Sequence, residues 1–427
     1  VSALKAELVA LIRDEGPLPI SRYMALCLGH PRHGYYMNRD PFGAAGDFTT
    51  APEISQMFGE LIGLWAASVW QAMGAPQALR LVELGPGRGT LMADMLRAAK
   101  IGPGFRDALT VHLVETSPVL RAAQGRALAG KAEPVWHDTI QAALDGPVIL
   151  VANEFLDALP LDQFVMTTDG WRQRLVGLDE KGELAFGLAG QAPLLPPPAS
   201  AMSDVSDMAN VLLKSEASDF SGEGRGGGES PGRRSGAAVQ VGPARPPIPN
   251  PSPPQVGGRG QVAPIGSVFE HPQAALDIVS TIAIHLARTG GAALFIDYGS
   301  TRSGFGDTLQ AMRSHAFVDP LAEPGEADLT VHVDFARMAQ AGLAAGAACR
   351  GPVTQRDFLL GLGLAERAQA LGAKATPEQA AAIAAAAARL TEPAATGMGQ
   401  LFKVLALSHP GLPPLPGFDL HRLPEQG

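Results

Sequence analysis

Cysteine is almost missing from this chain, with Cys27 and Cys349 the only two in 427 residues. Two thiols so far apart suggest neither a disulfide scaffold nor a cysteine-based metal site, and they read as ordinary buried thiols in a reducing compartment. There is no surplus of positive charge either. With 33 Lys and Arg against 42 Asp and Glu the formal net charge is −9, so no global field draws the chain toward nucleic acid or anionic lipid, and no nucleic-acid partner is expected. No run of 18 or more uncharged apolar residues occurs, which leaves no integral membrane span to expect. The N-terminal stretch Val1 to Glu15 carries Lys5, Glu7, Arg13, Asp14 and Glu15, a pattern that suits an amphipathic surface helix better than a signal peptide. No Gly-x-Ser-x-Gly elbow supports hydrolysis. No His/Cys/Asp cluster has metal-ligand spacing, so no metal is expected.

What is present is enough apolar character, 46% of residues, for a sizeable core. Apolar runs at Leu79–Leu84, Val111–Val114, Val148–Ala152 and Ala292–Ile296 predict short buried strands, with a further short one around Val135-Trp136. Helix-like stretches between the first three runs give the rhythm of a mostly parallel α/β sheet. Upstream, residues 4–29 read as helical pieces interrupted at Gly16-Pro17-Leu18-Pro19, and Pro52–Trp70 reads as a helix with Thr50 available as its cap.

About 140 residues separate the third run from the fourth, far more than one crossover helix uses. Phe164–Thr168, a turn at Asp169-Gly170 and Trp171–Leu178 predict a β-hairpin, with another short strand at Leu184–Phe186. From Ser221 to Gly266 there are 12 Gly and 9 Pro in 46 residues, a composition that cannot offset ordering entropy and is expected to form a disordered excursion. Toward the C-terminus, His332–Leu343, Thr354–Gly363 and Thr376–Leu390 predict helices, the last opened by Thr376, Pro377 and Gln379 as a capping box. Leu401–Leu407 is β-like and is expected at the sheet edge as an antiparallel final strand.

The chemistry concentrates around Glu83-Leu84-Gly85-Pro86-Gly87-Arg88-Gly89, a strand-to-helix loop in which Gly85, Gly87 and Gly89 permit a tight turn and close approach to a ligand. A phosphate loop is excluded because no Gly-Lys-Ser/Thr follows. A dinucleotide loop is harder to separate from an S-adenosylmethionine loop. Glu83 favours the latter, because its carboxylate suits a cationic amino-acid end and offers nothing to a pyrophosphate. Glu115, ending the next strand, is placed for ribose hydroxyls in either case. Asp138, after the short strand, suits an adenine amine, with helix capping as the plainer role. Asn153, Glu154 and Asp157 follow the next strand, at the sheet end that faces the ligand crevice in an open α/β fold. Tyr298 either packs on substrate or satisfies a buried backbone group, His315 reads as structural, and His332 beside Asp334 invites a dyad reading.

Several longer motifs go further. Gly46 to Glu60, Glu83 to Thr90, Val114 to Pro118, Asn153 to Pro160, Asp297-Tyr298-Gly299 and Gly325 to Phe335 together resemble the MidA family, bacterial relatives of the mitochondrial protein arginine methyltransferase required for complex I assembly. The resemblance spans roughly 1–190 and 262–410. It implies a class I S-adenosylmethionine methyltransferase (Rossmann-like α/β) sheet with an N-terminal helical extension and a large insertion between the fourth and fifth strands. The implied division is 1–70 for the helical segment and a cofactor-closing loop, 71–160 and 290–410 for the core, 161–200 for a hairpin insertion and 201–265 for a low-complexity insertion with no counterpart in the family. It implies S-adenosyl-L-methionine as donor, bound by Glu83, the three glycines, Glu115, Asp138, Asp47 and Thr49, with Asn153, Glu154 and Asp157 on the transfer side. The implied substrate is an arginine of a protein, the 49-kDa-type subunit of respiratory complex I. The implied setting is cytoplasmic in a bacterium and mitochondrial in a eukaryote. Two other functions stay open, an assembly factor that binds the donor with little turnover and an NAD-dependent enzyme.

Overall fold

The computed structural model describes residues 2–38, 50–102, 104–190, 240–241 and 263–418. Asp47, Thr49 and nearly all of the 201–265 segment lie outside the described residues. The chain divides into two compact units, one of Val1–Asn38, Leu159–Ala274 and Gly304–Val331, the other of Arg39–Ala158, Ala275–Ser303 and His332–Gly427.

The first unit is built on hairpins. Strands Asp162–Thr167 and Gly170–Leu178 pair antiparallel across a two-residue turn, Leu184–Leu188 adds to the second and Val268–His271 to the first. Helices Ala3–Glu15 and Ile20–Gly29 flank the expected break. The break itself is a short strand, with Leu18 and Pro19 pairing with Val176 and Leu175. Gln240–Val241 pairs antiparallel with Gly187-Leu188. A small sheet of Gln310–Arg313, Ala316–Val318 and Asp328–Thr330 completes the unit.

The second unit holds the large sheet: β1 (Leu79–Leu84), β2 (Leu109–Val114), β3 (Val135–His137), β4 (Val148–Asn153), β5 (Gly291–Ser300), β6 (Ala348–Thr354) and β7 (Phe402–Ser408). Their spatial order is β3-β2-β1-β4-β5-β7-β6. The first five are mutually parallel, and β7 runs antiparallel to both neighbours. Every residue of β4 is buried, as expected of a parallel strand covered on both faces. Helices α1 (Gln56–Ala72) and α2 (Thr90–Ala98) share one core with β1, β4 and β5 through Phe58, Trp65, Leu81, Leu91, Val151 and Leu294. Further along lie α3 (Pro118–Leu128), α4 (Phe335–Ala344) and α5 (Pro377–Leu390).

Three expectations are corrected. The helix over Pro52–Trp70 is two pieces, Ala51–Ile54 and α1, because Ser55 is extended at φ −159° and its side chain accepts from the Met57 N–H at 3.2 Å. Serine competes for backbone donors in this way and so starts helices better than it continues them. Thr50 stands at the N-cap position of the first piece but makes no side-chain cap. The helix over His332–Leu343 starts at Phe335 instead, since Val333-Asp334 pairs with Gly299-Ser300 and Asp334 caps α4 by accepting from the Arg337 N–H at 3.1 Å. Finally, β7 is not the edge. The edge is β6, whose Gly351-Pro352 falls at a register shift between Arg350 and Val353, where an edge strand tolerates proline.

The capping box of α5 forms as expected, with Thr376 Oγ1 accepting from the Gln379 N–H at 3.3 Å and Gln379 accepting from the Thr376 N–H at 3.0 Å. Thr376→Ala is therefore expected to lower stability by about 1 kcal/mol, read as an earlier urea midpoint at unchanged slope. An unmoved midpoint would show that the box contributes nothing.

Candidate functional site

β1 delivers Glu83 and then the glycine loop to the carboxyl end of the sheet. Gly85, Gly87 and Gly89 have φ of +58°, +51° and +84°, a region costly for any residue with a Cβ. The turn is closed by the Gly89 N–H donating to Pro86 O at 2.7 Å, and the Gly85 N–H donates to Val114 O at 3.1 Å. Gly89 opens α2 without a side-chain cap of its own, and of the first-turn N–H groups that of Met92 is taken by Glu83, so the positive end of that helix already holds one carboxylate. A Cβ at Gly85 would lie 2.9 Å from the Phe155 ring. Both the backbone and the space therefore demand glycine there.

Glu83 is 3% exposed, receives the Met92 N–H, and has one carboxylate oxygen with no hydrogen-bond partner. Burial pushes its pKa up to about 8. At the end of β2, Glu115 accepts from the Thr116 and Ser117 N–H groups at 2.8 and 2.7 Å and from Gln124 Nε2 at 3.1 Å, and burial raises its pKa as well. Gln124, on α3 and fully buried, also donates to Gly87 O at 2.8 Å and accepts from Trp136 Nε1 at 2.8 Å. One amide thus ties the glycine loop to the ends of β2 and β3. Nothing in the sequence spacing marks Gln124, because its role depends on three contacts distant in the chain. Gln124→Leu leaves those buried polar groups without their partner, a loss of about 1–3 kcal/mol each. Cofactor affinity at least tenfold weaker by calorimetry is the expected result, and unchanged affinity would remove Gln124 from the site.

Asp138 stands just past β3, and its exposed side chain pairs with Arg121 at 2.6 Å. Arg121 also donates to the Glu115 carbonyl through Nε at 2.8 Å. Asp138 caps no helix, since the short helix Ile140–Ala143 has Thr139 at its N-cap position.

The end of β4 carries the other cluster. Asn153 donates through Nδ2 to Glu154 Oε1 at 3.2 Å, and its Oδ1 is buried with no hydrogen-bond partner. Glu154 sits at φ +51° and donates its N–H to Ile296 O at 2.8 Å, while Oε1 also accepts from the Ala51 N–H at 3.2 Å. Asp157 is 5% exposed, accepts from the Tyr298 hydroxyl, and leaves Oδ1 with no hydrogen-bond partner. Burial pushes Asp157 up to about 6. Asp297 at the end of β5 organises this loop: Oδ2 accepts from the N–H groups of Phe155, Leu156 and Asp157 at 3.2, 3.0 and 3.2 Å, and Oδ1 from that of Tyr298 at 2.9 Å. Burial and the nearby charges of Asp157 and Glu154 raise its pKa.

The tripeptide Asp297-Tyr298-Gly299 now has a physical account. Asp297 holds the loop, Tyr298 bonds Asp157, and Gly299 admits the Val333 carbonyl to a point 2.0 Å from where a Cβ would stand. Tyr298 thus spends its hydroxyl on the Asp157 carboxylate. His332 packs edge-on against Tyr298, with its pKa lowered to about 4 by burial and by Lys403. Asp334, its supposed dyad partner, caps α4 and accepts from Ser303 at 3.0 Å. Glu53 accepts from the Thr90 hydroxyl at 2.7 Å, which ties the short helix Ala51–Ile54 to the start of α2.

The structure therefore gathers two sets of predicted residues at the carboxyl ends of adjacent strands: Glu83, Gly85, Gly87, Gly89 and Glu115 in one, Asn153, Glu154 and Asp157 in the other. A nucleoside with a cationic tail fits them, because a loop with glycine at three of its five positions stands beside buried acceptors that lack donors, Glu83 Oε2 foremost. Among the described residues no group of three or more His, Cys, Asp or Glu could hold a metal ion. Nor is any described helix long and apolar enough to cross a membrane.

Comparison with known proteins adds to this geometry. A profile of the S-adenosyl-L-methionine-dependent methyltransferase family matches residues 61–353. The chain is 34% identical over 395 residues to the mitochondrial protein arginine methyltransferase NDUFAF7 of Xenopus tropicalis, covering 87% of this chain and 77% of that protein. To the Homo sapiens protein of the same name it is 31% identical over 397 residues, covering 87% and 76%. A crystal structure from Burkholderia thailandensis with S-adenosyl-homocysteine bound superposes with a TM-score of 0.72 at 28% identity, covering 98% of this chain and 95% of that one.

Proposed function

We propose, from the premise that this chain belongs to the S-adenosyl-L-methionine-dependent methyltransferase family, that it methylates an arginine side chain of a protein substrate. Its donor is S-adenosyl-L-methionine. The relatives named as protein arginine methyltransferases support the substrate class. The observation that carries it is the pair of buried, unpartnered acceptors at the end of β4, Asn153 Oδ1 and Asp157 Oδ1, which suit an incoming N–H donor. The 49-kDa-type subunit of complex I, implied by the family resemblance, is the substrate to test first. A mitochondrial setting, carried in the relatives' names, or a bacterial cytoplasmic one belongs to the same proposal. So does the reading of the first unit's hairpins as an insertion between β4 and β5 and of residues 1–70 as a helical extension.

Bound donor supplies an electrophilic methyl group on a sulfonium. In this reading the glycine loop and the start of α2 hold its amino-acid end, and the Glu83 carboxylate balances its positive charge. Glu115 takes the ribose through the acceptor capacity that its three N–H donors leave, and Asp138 with Arg121 borders the adenine. The family resemblance adds Asp47 and Thr49, which lie outside the described residues, to the donor-binding set. Asn153, Glu154 and Asp157 line the transfer side, where a carboxylate must hold the cationic guanidinium and orient one nitrogen, because arginine does not deprotonate on its own in water. Holding that nitrogen in line with the methyl group is the main source of rate.

The test incubates the protein with methyl-labelled donor and complex I precursor, then maps the label by tandem mass spectrometry. Label on arginine is the expected result. Label on another residue type, or no label at all, overturns the substrate reading.

A further inference from the structure

Three carboxylates crowd the transfer side, Glu154, Asp157 and Asp297, and their hydrogen bonds separate their roles. Glu154 is already occupied. Its Oε1 accepts from both the Ala51 N–H and Asn153 Nδ2, each at 3.2 Å, and its backbone is held at φ +51° by the N–H bond to Ile296 O. A non-glycine residue kept in that region is held there by its surroundings. The Ala51 N–H opens the short helix Ala51–Ile54, and Glu53 in that helix bonds Thr90 of α2. Glu154 thus fastens a segment that is itself fastened to the helix after the glycine loop.

Asp157 is the opposite case. It is 5% exposed, its carboxylate takes the Tyr298 hydroxyl and the Ala158 and Asp157 N–H groups, and Oδ1 is left with no hydrogen-bond partner. Asn153, 9% exposed, has its amide oriented by donation to Glu154, which leaves its unpartnered Oδ1 as a second waiting acceptor. Buried acceptors without donors are rare in folded proteins and call for a ligand or water. Asp297 accepts four N–H groups, three from residues 155–157 and one from Tyr298. It therefore sets both Asp157 and the tyrosine that orients it.

We infer that Asp157, oriented by Tyr298 and anchored by Asp297, receives the attacking nitrogen and its proton, whereas Glu154 is a positioning residue that clamps Thr50–Ile54. This rests on the arginine reading above. As the nitrogen–carbon bond forms, the carbon–sulfur bond breaks with its electron pair left on sulfur. The methylated nitrogen then passes one proton to Asp157, and the guanidinium keeps its single positive charge. The groups around Asp157 suit this step. Burial raises Asp157 toward neutral pH, close beside the likewise raised Asp297. His332 at about 4 is neutral there, Lys403 is lowered to about 8 by burial, and Asp297, raised by burial and by Asp157 and Glu154, is the acid most closely linked to Asp157.

The experiment compares full-length wild type with Asp157→Asn, Tyr298→Phe and Glu154→Gln. It measures S-adenosylhomocysteine affinity, turnover against pH, and carbon-13 titration of labelled aspartate carboxyls with methylguanidinium as probe. Asp157→Asn is expected to keep its affinity within about threefold and to lose roughly 1,000-fold in turnover, as loss of a proton acceptor does. Tyr298→Phe moves the acidic limb of the kcat profile to higher pH at little change in KM. Glu154→Gln weakens cofactor binding and leaves that limb in place. In wild type, methylguanidinium lowers the Asp157 titration. The inference is overturned if Asp157→Asn keeps more than about a tenth of wild-type turnover, or if Glu154→Gln abolishes turnover at saturating donor with affinity unchanged. If wild type labels no arginine yet methylguanidinium still shifts Asp157, the arginine reading falls and the acceptor assignment stands. If neither occurs, both fall.

Discussion

Replacing Gly85 by valine is expected to weaken S-adenosylmethionine binding by about 100-fold or more. Gly85 sits at φ +58°, where a residue with a Cβ pays about 1–2 kcal/mol and a β-branched one more. The added Cβ would also stand 2.9 Å from the Phe155 ring and force that side chain to move. A combined cost near 3 kcal/mol in the binding-competent loop corresponds to roughly two decades of affinity. Calorimetry with S-adenosylhomocysteine reads the effect, and Gly146→Ala is the control. Gly146 has φ +65° with nothing within 4 Å of its Cβ position, so it incurs the backbone cost alone and away from the loop. Gly85→Val affinity within threefold of wild type would mean that the loop does not bind the donor as described.

The second large effect concerns pH. Glu83 binds its proton more tightly in the fold, at about 8, than at the ordinary value of 4.5. Between those values the folded state holds more protons than the unfolded state, so stability without ligand falls as pH rises from about 4.5 to about 8. Cofactor binding runs the other way. A cationic ligand near Glu83 favours the carboxylate, so binding releases a proton and affinity increases with pH up to about 8, by at most about tenfold per unit. Calorimetry in two buffers of different ionisation enthalpy measures the released proton, and Glu83→Gln is expected to abolish that component. Equal proton release by wild type and Glu83→Gln would assign the linkage to another group.

Much of this architecture was legible before any coordinates. Strand β1 falls at its expected bounds, Leu79–Leu84, and helix α2 follows the glycine loop where the sequence predicts a helix, because continuous apolar runs and a glycine-led helix start are local signals. The strand β6 was not, since Gly351-Pro352 carries the mark of a turn and only the pairing with β7 makes it a strand. The same division holds in the site. Gly85, Gly87, Gly89, Glu83 and Asp157 stand in short motifs at strand ends, where the sequence alone points to a ligand crevice. Gln124 and the loop-holding role of Asp297 leave no mark in the sequence, because each acts through partners brought close by tertiary structure. Glu154 shows the limit most clearly. Its place after β4 suggested chemistry, yet whether a carboxylate is occupied or waiting depends on Ala51, about a hundred positions away.

The arrangement of β5 between β4 and β7 bears on how the protein is made. β5 carries Asp297 and Tyr298, and its flank is completed by residues 402–408 running antiparallel. A chain leaving the ribosome would therefore have both glycine loop and β4 cluster available long before β5 acquires its second neighbour. Such long-range pairing is slow to form and exposes an unpaired strand until it does. The strand that carries the loop anchor Asp297 is thus completed late in synthesis. Nascent chains stalled before Phe402 should be sensitive to protease across β5, whereas chains extended beyond Ser408 should resist it.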